Sequence, residues 1–210
     1  MGRVYLVRHG ETTSNRDQIL QGPRIDASLS DRGERQARMV AAALAAVPIV
    51  ALYSSPLTRA RQTAEAVAGH HPREHLAVQV VPELYEMDYG DFAGHSYDDV
   101  RGEMEQVLDA WRLGFVDQPF PGGESALLAQ HRIRPFADRL RALATSVAVV
   151  AHGRINRVLL ATLTGAGLQR LEEFPQANAA ITEVELDGDA ARVIRLNDTE
   201  HLDLASDSFS

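Results

Sequence analysis

The sequence predicts an α/β fold, a three-layer sandwich in which a mostly parallel central sheet is flanked by helices and closed by an antiparallel edge strand. Three observations carry this. Apolar runs at residues 4–7, 49–53, 78–81 and 147–151 have the length and composition of strands buried on both faces. Segments of helical period separate them, the alternation expected of parallel strands joined by crossover helices. Near the end, residues 181–186 and 192–196 flank Asp187-Gly188-Asp189, whose glycine suits the positive φ of a hairpin turn.

Taken in order, residues 4–7 open the sheet and run straight into Arg8-His9-Gly10. Ala37, Val40, Ala41, Leu44 and Val47 fall on one helical face, with Ser30 as its N-cap. The strand at 49–53 ends in Ser54-Ser55-Pro56, proline being suited to a first helical position, and a helix containing residues 64–68 follows. Ile133, Phe136, Ala137, Leu140 and Leu143 form another helical face, in which Pro135 is expected to kink or shorten the helix. The strand VAVVA then leads to His152-Gly153. Gly165-Ala166-Gly167 reads as a helix-ending turn, because a dinucleotide fingerprint would need a third glycine and a preceding strand. With no repeat or linker, residues 1–202 are expected to form one domain, with 203–210 as an acidic tail.

Composition excludes several chemistries. The 210 residues are 45% hydrophobic and 24% charged, the proportions of a globular domain, and no apolar run reaches the roughly 18 residues of a membrane span. The N-terminus lacks the pattern of a signal peptide, so a cytoplasmic location and no membrane partner are expected. There is no cysteine, which removes thiolate nucleophiles and cysteine-ligated metals. All 21 basic residues are arginine, which removes Schiff-base chemistry and the P-loop lysine. A net charge of −8 argues against nucleic acid as a partner.

Three strand ends therefore converge chemically. Ligands of open α/β sheets bind at the carboxyl ends of strands, and those ends carry Arg8 and His9, Arg59 just beyond Ser55, and His152. One His-Gly after a strand is most simply a turn. Two of them beside arginines suit a phosphoryl group, which needs planar cationic donors for its oxygens and a nucleophile uncharged at neutral pH.

The residues that carry this convergence also resemble a known family, the histidine phosphatase superfamily, which includes the cofactor-dependent phosphoglycerate mutases. VRHGETTSN is similar to its nucleophile motif, SSPLTRARQTA to its second-arginine motif, LYEMDYGDFAG to its proton-donor segment and VVAHGRINR to its second-histidine motif. LSDRGERQA, PGGES and NDTEHL match its connecting segments. The resemblance implies a phosphoglycerate mutase-like fold in which His9 attacks phosphorus and becomes phosphohistidine. It further implies that Arg8, Arg59, His152, Asn15 and Gly153 bind the phosphoryl oxygens, while Glu86 protonates the leaving alcohol and then deprotonates water. Asp88, two residues on, is the alternative donor. No cofactor and no metal are implied.

Two places depart from the family pattern: Ala27-Ser28-Leu29-Ser30, where proline and threonine are usual, and Arg154, which replaces a glycine and is expected to point to solvent. Gly69-His70-His71 with His75 mimics a metal cluster but lacks carboxylates at ligand spacing, so a solvated loop is expected. Asp187-Gly188-Asp189 lacks the flanking residues of an aspartyl-phosphate motif. The leading reading is a metal-independent phosphatase of small phosphomonoesters. The alternatives are a 2,3-bisphosphoglycerate-dependent mutase and a degenerate phospho-ligand binder. The interval from Gly94 to Val147 holds few basic residues for gripping a second phosphate, since Arg132, Arg134, Arg139 and Arg141 read as a solvated helix face. The substrate, which loops near residues 17–27 and 92–125 would select, is left open, as is oligomeric state, a homodimer included.

Overall fold

In a computed structural model, described here for residues 2–73 and 76–203, six strands form one sheet in the order β3-β2-β4-β1-β5-β6. The strands are β1 (Gly2–Arg8), β2 (Ala51–Ser54), β3 (Val78–Val80), β4 (Ser146–Ala151), β5 (Ile181–Asp187) and β6 (Ala190–Asp198). The first four are parallel, β5 runs antiparallel to β1, and β6 antiparallel to β5. The predicted antiparallel edge is thus a pair of strands. Its turn is the predicted one, with Gly188 at φ +59°.

The apolar runs alternate between two cores. Val4 and Leu6 of β1, with Val147 and Val149 of β4, face one layer; Tyr5 and Val7, with Ala148 and Val150, face the other. The first layer contains α4 (Tyr97–Arg112), α5 (Ala126–Arg141) and α6 (Gly153–Thr164). The second contains α2 (Asp31–Leu44) and α3 (Thr58–His70). Helix α1 (Thr13–Arg16) follows the nucleophile motif, and α7 (Glu200–Asp203) packs near α2. Burial of both faces of the central strands is what a period-free apolar run encodes, each buried Val or Leu contributing about 1.5–3 kcal/mol.

Ser30 caps α2 by accepting from the Gly33 amide. Val47 and Leu143 lie beyond the ends of α2 and α5 but still pack on the cores. Pro135 does not shorten α5, which continues to Arg141. Its exposed position in the last turns forfeits one hydrogen bond, while Ile133, Phe136, Ala137 and Leu140 stay buried and hold the helix. The interval expected as loop contains α4, whose Met104, Val107, Leu108 and Trp111 follow a helical spacing. Gly69 and His70 belong to the last turn of α3 rather than a loop, and His75 lies outside the described residues. Of the acidic tail, only Asp203 is described, as the last residue of α7. No helix among the described residues is long and apolar enough to cross a membrane.

Candidate active site

The neighbouring parallel strands β1 and β4 end level with each other, Arg8 opposite Ala151, so His9 and His152 leave the sheet side by side. Their rings lie 5.1 Å apart at 61°. His9 is held by its amide bond to the Ala151 carbonyl at 3.1 Å. Its Nδ1 lies 2.7 Å from the Gly10 carbonyl, which can only accept, so Nδ1 carries the proton and Nε2 keeps its lone pair. Burial, then the charges of Arg59 and Arg8, hold the imidazole well below its ordinary pKa. It is a neutral base whose Nε2 lone pair faces the Arg59 guanidinium.

Arg59 is 1% exposed and is aimed by two carbonyls, Ile25 and Gly22, each 3.0 Å from its terminal nitrogens. Its Nε–H points at His9 Nε2 from 3.3 Å. Arg8 donates to the Gln176 carbonyl at 2.5 Å, and its Nε is buried with no partner. Neither guanidinium forms an ion pair among the described residues, and burial lowers the pKa of both. A cation held out of water without an anion is costly, fully so for the buried Arg59 and in part for the half-buried Arg8, so both favour an anion beside them.

Asn15 sits in the capping box of α1. Its Oδ1 accepts from Thr12 and from Asn178 at 3.1 Å, which leaves its amide hydrogens for the cavity it lines. Glu86 is buried, and its carboxylate crosses the start of α6, accepting from the amides of Ile155 at 2.9 Å and Arg154 at 3.2 Å as well as its neighbour Met87 at 2.9 Å. A helix N-terminus with unpaired amides is a natural seat for this carboxylate. Arg8, His9, Asn15, Arg59 and Glu86 all line one cavity of about 250 Å³. His152 does not line it; fully buried, it stands behind His9 with Nε2 2.7 Å from Ser55 Oγ and Nδ1 unpartnered. Gly153 opens α6 beside the Arg8 guanidinium, where a Cβ would lie 3.6 Å from Nε.

Asp88 faces elsewhere. It pairs with Arg24 at 2.8 Å, accepts from the Gly90 amide and contributes nothing to the cavity wall. Arg154 does not point to solvent: its side chain is 13% exposed and ion-paired to Glu172, which it shares with Arg157. The physical reason is that the half-buried Glu172 stands within ion-pair distance of both Arg154 and Arg157, whose charges hold its carboxyl below the ordinary value. Among the described residues no group of three or more His, Asp or Glu is placed to hold a metal ion. Four lining or supporting residues escaped the sequence reading: Ser55, Asn178, Gln21 and Tyr89, the last buried with its phenol pKa pushed up to about 12 by burial and then by Glu86. Only the tyrosine and serine lie inside recognisable motifs, and the partner of Ser55, His152, comes from the end of another strand.

Fold and cavity together define an α/β protein with a cavity lined by two arginines and a histidine at the carboxyl ends of its parallel strands. Residues 4–199 match the model of the histidine phosphatase superfamily (branch 1), and the chain belongs to this family. Phosphoserine phosphatase 1 of Hydrogenobacter thermophilus is 30% identical over 208 residues, covering 96% of this chain and 95% of that protein. A 2,3-bisphosphoglycerate-dependent phosphoglycerate mutase of Parvibaculum lavamentivorans is 32% identical, covering 91% and 93%. The solved structure of mycobacterial glucosyl-3-phosphoglycerate phosphatase with VO3 superposes with a TM-score of 0.83 at 28% identity, covering 95% of this chain and all of that one. Phosphatases and mutases both stand among the relatives, and their names support a phosphatase.

Proposed function

We propose that the protein hydrolyses small phosphomonoesters through a phosphohistidine at His9, without a metal or other cofactor. The observation that carries this is the pair of guanidiniums without an ion-pair partner, Arg59 buried and Arg8 half-buried with its Nε enclosed, that line one cavity with a neutral His9 whose lone pair is on Nε2. In the proposed cycle Nε2 attacks phosphorus and the phosphorus–oxygen bond to the alcohol breaks, while Arg8, Arg59 and the Asn15 amide hold the phosphoryl oxygens. Glu86 gives its proton to the departing alkoxide. A water then attacks the phosphoryl group, the phosphorus–nitrogen bond breaks, Glu86 takes the water's proton, and phosphate leaves with His9 neutral again. Positioning and charge compensation provide most of the rate enhancement in phosphoryl transfer, and the cradle is fixed by carbonyls before the substrate arrives.

The test is rapid quenching with a labelled phosphomonoester. The expected product is an acid-labile, alkali-stable adduct on the peptide that contains His9. An enzyme that keeps its activity after His9→Ala overturns the reading.

A further inference from the structure

Among the described residues, Arg8 and Arg59 are the only arginines that line the cavity. Its other walls include the neutral side chains of Asn15, Gln18, Ile19, Leu20, Tyr89 and Tyr97, together with the proton donor Glu86. Ile19, Leu20 and Tyr97 are half-buried and Tyr89 is buried, so a group lodged there loses much of its water. The Tyr97 hydroxyl is committed to Glu105, which adds a second carboxylate behind that wall.

The arginines around this end are already engaged. Arg24 pairs with Asp88 at 2.8 Å and donates to the Gly122 carbonyl at 2.8 Å. Arg154 and Arg157 both pair with Glu172, Arg16 pairs with Asp17 at 2.9 Å, and Arg101 with Asp98. Arg112 pairs with Glu105 and Asp109. Arg132 of the interval before β4 is not solvated either; it clamps Glu124 at 2.9 Å and reaches the Glu83 and Tyr85 carbonyls. Arg141 likewise holds the Thr162 carbonyl at 2.7 Å near the end of α6.

Charge therefore closes on the phosphoryl group alone. Its roughly two negative charges match Arg8 and Arg59. A carboxylate or second phosphate on the leaving alcohol would sit against Ile19 and Leu20 with no lining cation left to compensate it, or would have to break an existing ion pair. Rejection of a ligand by an unpaired charge is an effective source of specificity.

We infer that the leaving-group side of this site selects the phosphomonoesters of uncharged alcohols and discriminates against those that carry a second anion. The inference rests on the phosphatase reading above and narrows it. Hydroxyl groups on such an alcohol meet the Tyr89 phenol and the Gln18 and Gln21 amides, while its carbon skeleton meets Ile19 and Leu20.

The decisive comparison uses glycerol 3-phosphate and 3-phosphoglycerate, which share a skeleton and differ by a hydroxymethyl in place of a carboxylate. kcat/KM is expected to be higher for glycerol 3-phosphate on the order of tenfold or more, and calorimetric Kd should favour it in the same sense. Gln18→Arg, which puts a cation on the exposed rim of the neutral wall, should narrow or reverse the ratio. Equal or better kcat/KM for 3-phosphoglycerate in the unaltered protein overturns the inference and leaves the phosphatase reading standing. Where neither ester is turned over, the ratio of Kd values decides the charge preference by itself, and tighter binding of 3-phosphoglycerate then overturns the inference.

Discussion

His152 has two ring nitrogens, and only Nε2 has a partner. That partner, Ser55 Oγ, already accepts from the Leu57 amide at 3.3 Å, so its own proton is available to His152. Donation from Ser55 places the ring proton on Nδ1 and makes the buried, unpartnered atom a donor beside His9. The opposite tautomer would put a lone pair there. Ser55→Ala should therefore let the two tautomers mix, visible in the nitrogen shifts of His152, and cost about 1–2 kcal/mol of stability as the buried Nε2 loses its partner. An unchanged tautomer in the variant would show that Ser55 does not set it. Arg8, His9 and His152 were legible because each stands one or two positions past an apolar run, Arg59 stands further past one, and Asn15 and Glu86 were found only through their motifs. The role of Ser55 was not, since it depends on β2 lying next to β4 with Ser54 opposite Val150, a pairing that no local pattern encodes.

At the scale of elements, the start of α2 presses on the loop that carries His9. The Ser30 amide donates to the Glu11 carbonyl at 2.9 Å, and a Cβ on Gly33 would stand 1.9 Å from that same oxygen. Gly10 answers from the other side, its Cβ position 2.5 Å from the Gly33 carbonyl. Gly33→Ala must push helix and loop apart, at an expected cost of about 1–3 kcal/mol by overpacking, with a loss of activity from the displaced nucleophile. Gly102 in α4 is exposed with open space where a Cβ would go, so Gly102→Ala should gain about 0.5–1 kcal/mol. Urea denaturation of the two variants checks both, and a shift of the same sign for each would refute the distinction. LSDRGERQA announced the helix and its cap but not the reason for its glycine, because the contact joins segments that only tertiary packing brings together. Helix α4 was written plainly in the spacing of Met104, Val107, Leu108 and Trp111 and was obscured by the density of charge around it.

For the whole molecule, the strands were legible and their order was not. Apolar on both faces, β1, β2 and β4 carry no mark of which neighbour each takes, and it is their central placement that makes the cradle dry. Dryness has a consequence for stability. His9 and His152 are held well below the ordinary imidazole pKa, in each case by burial first and then by Arg59 and further neighbouring charges, so the native protein keeps both neutral at pH values where the unfolded chain protonates them at about 6.5. Below that value the unfolded state binds more protons than the native state, and stability must fall as pH falls. Each histidine contributes a limiting slope of about 1.4 kcal/mol per pH unit. His201, lowered by burial, adds in the same direction. Glu172, which burial would raise but Arg154 and Arg157 hold low, adds its loss only below the ordinary carboxylate pKa of about 4.3, outside the window. Urea unfolding at pH 7.5, 6.5 and 5.5 should show a small loss of stability over the first interval, about a third of a kcal/mol per histidine, and one about three times larger over the second. A double variant, His9→Asn with His152→Asn, should lose most of that slope while keeping the smaller contribution of His201. A wild-type protein equally stable at pH 6.5 and 5.5 would mean that the two imidazoles take up protons in the folded state, and with them the neutral nucleophile on which the proposed chemistry depends would be lost.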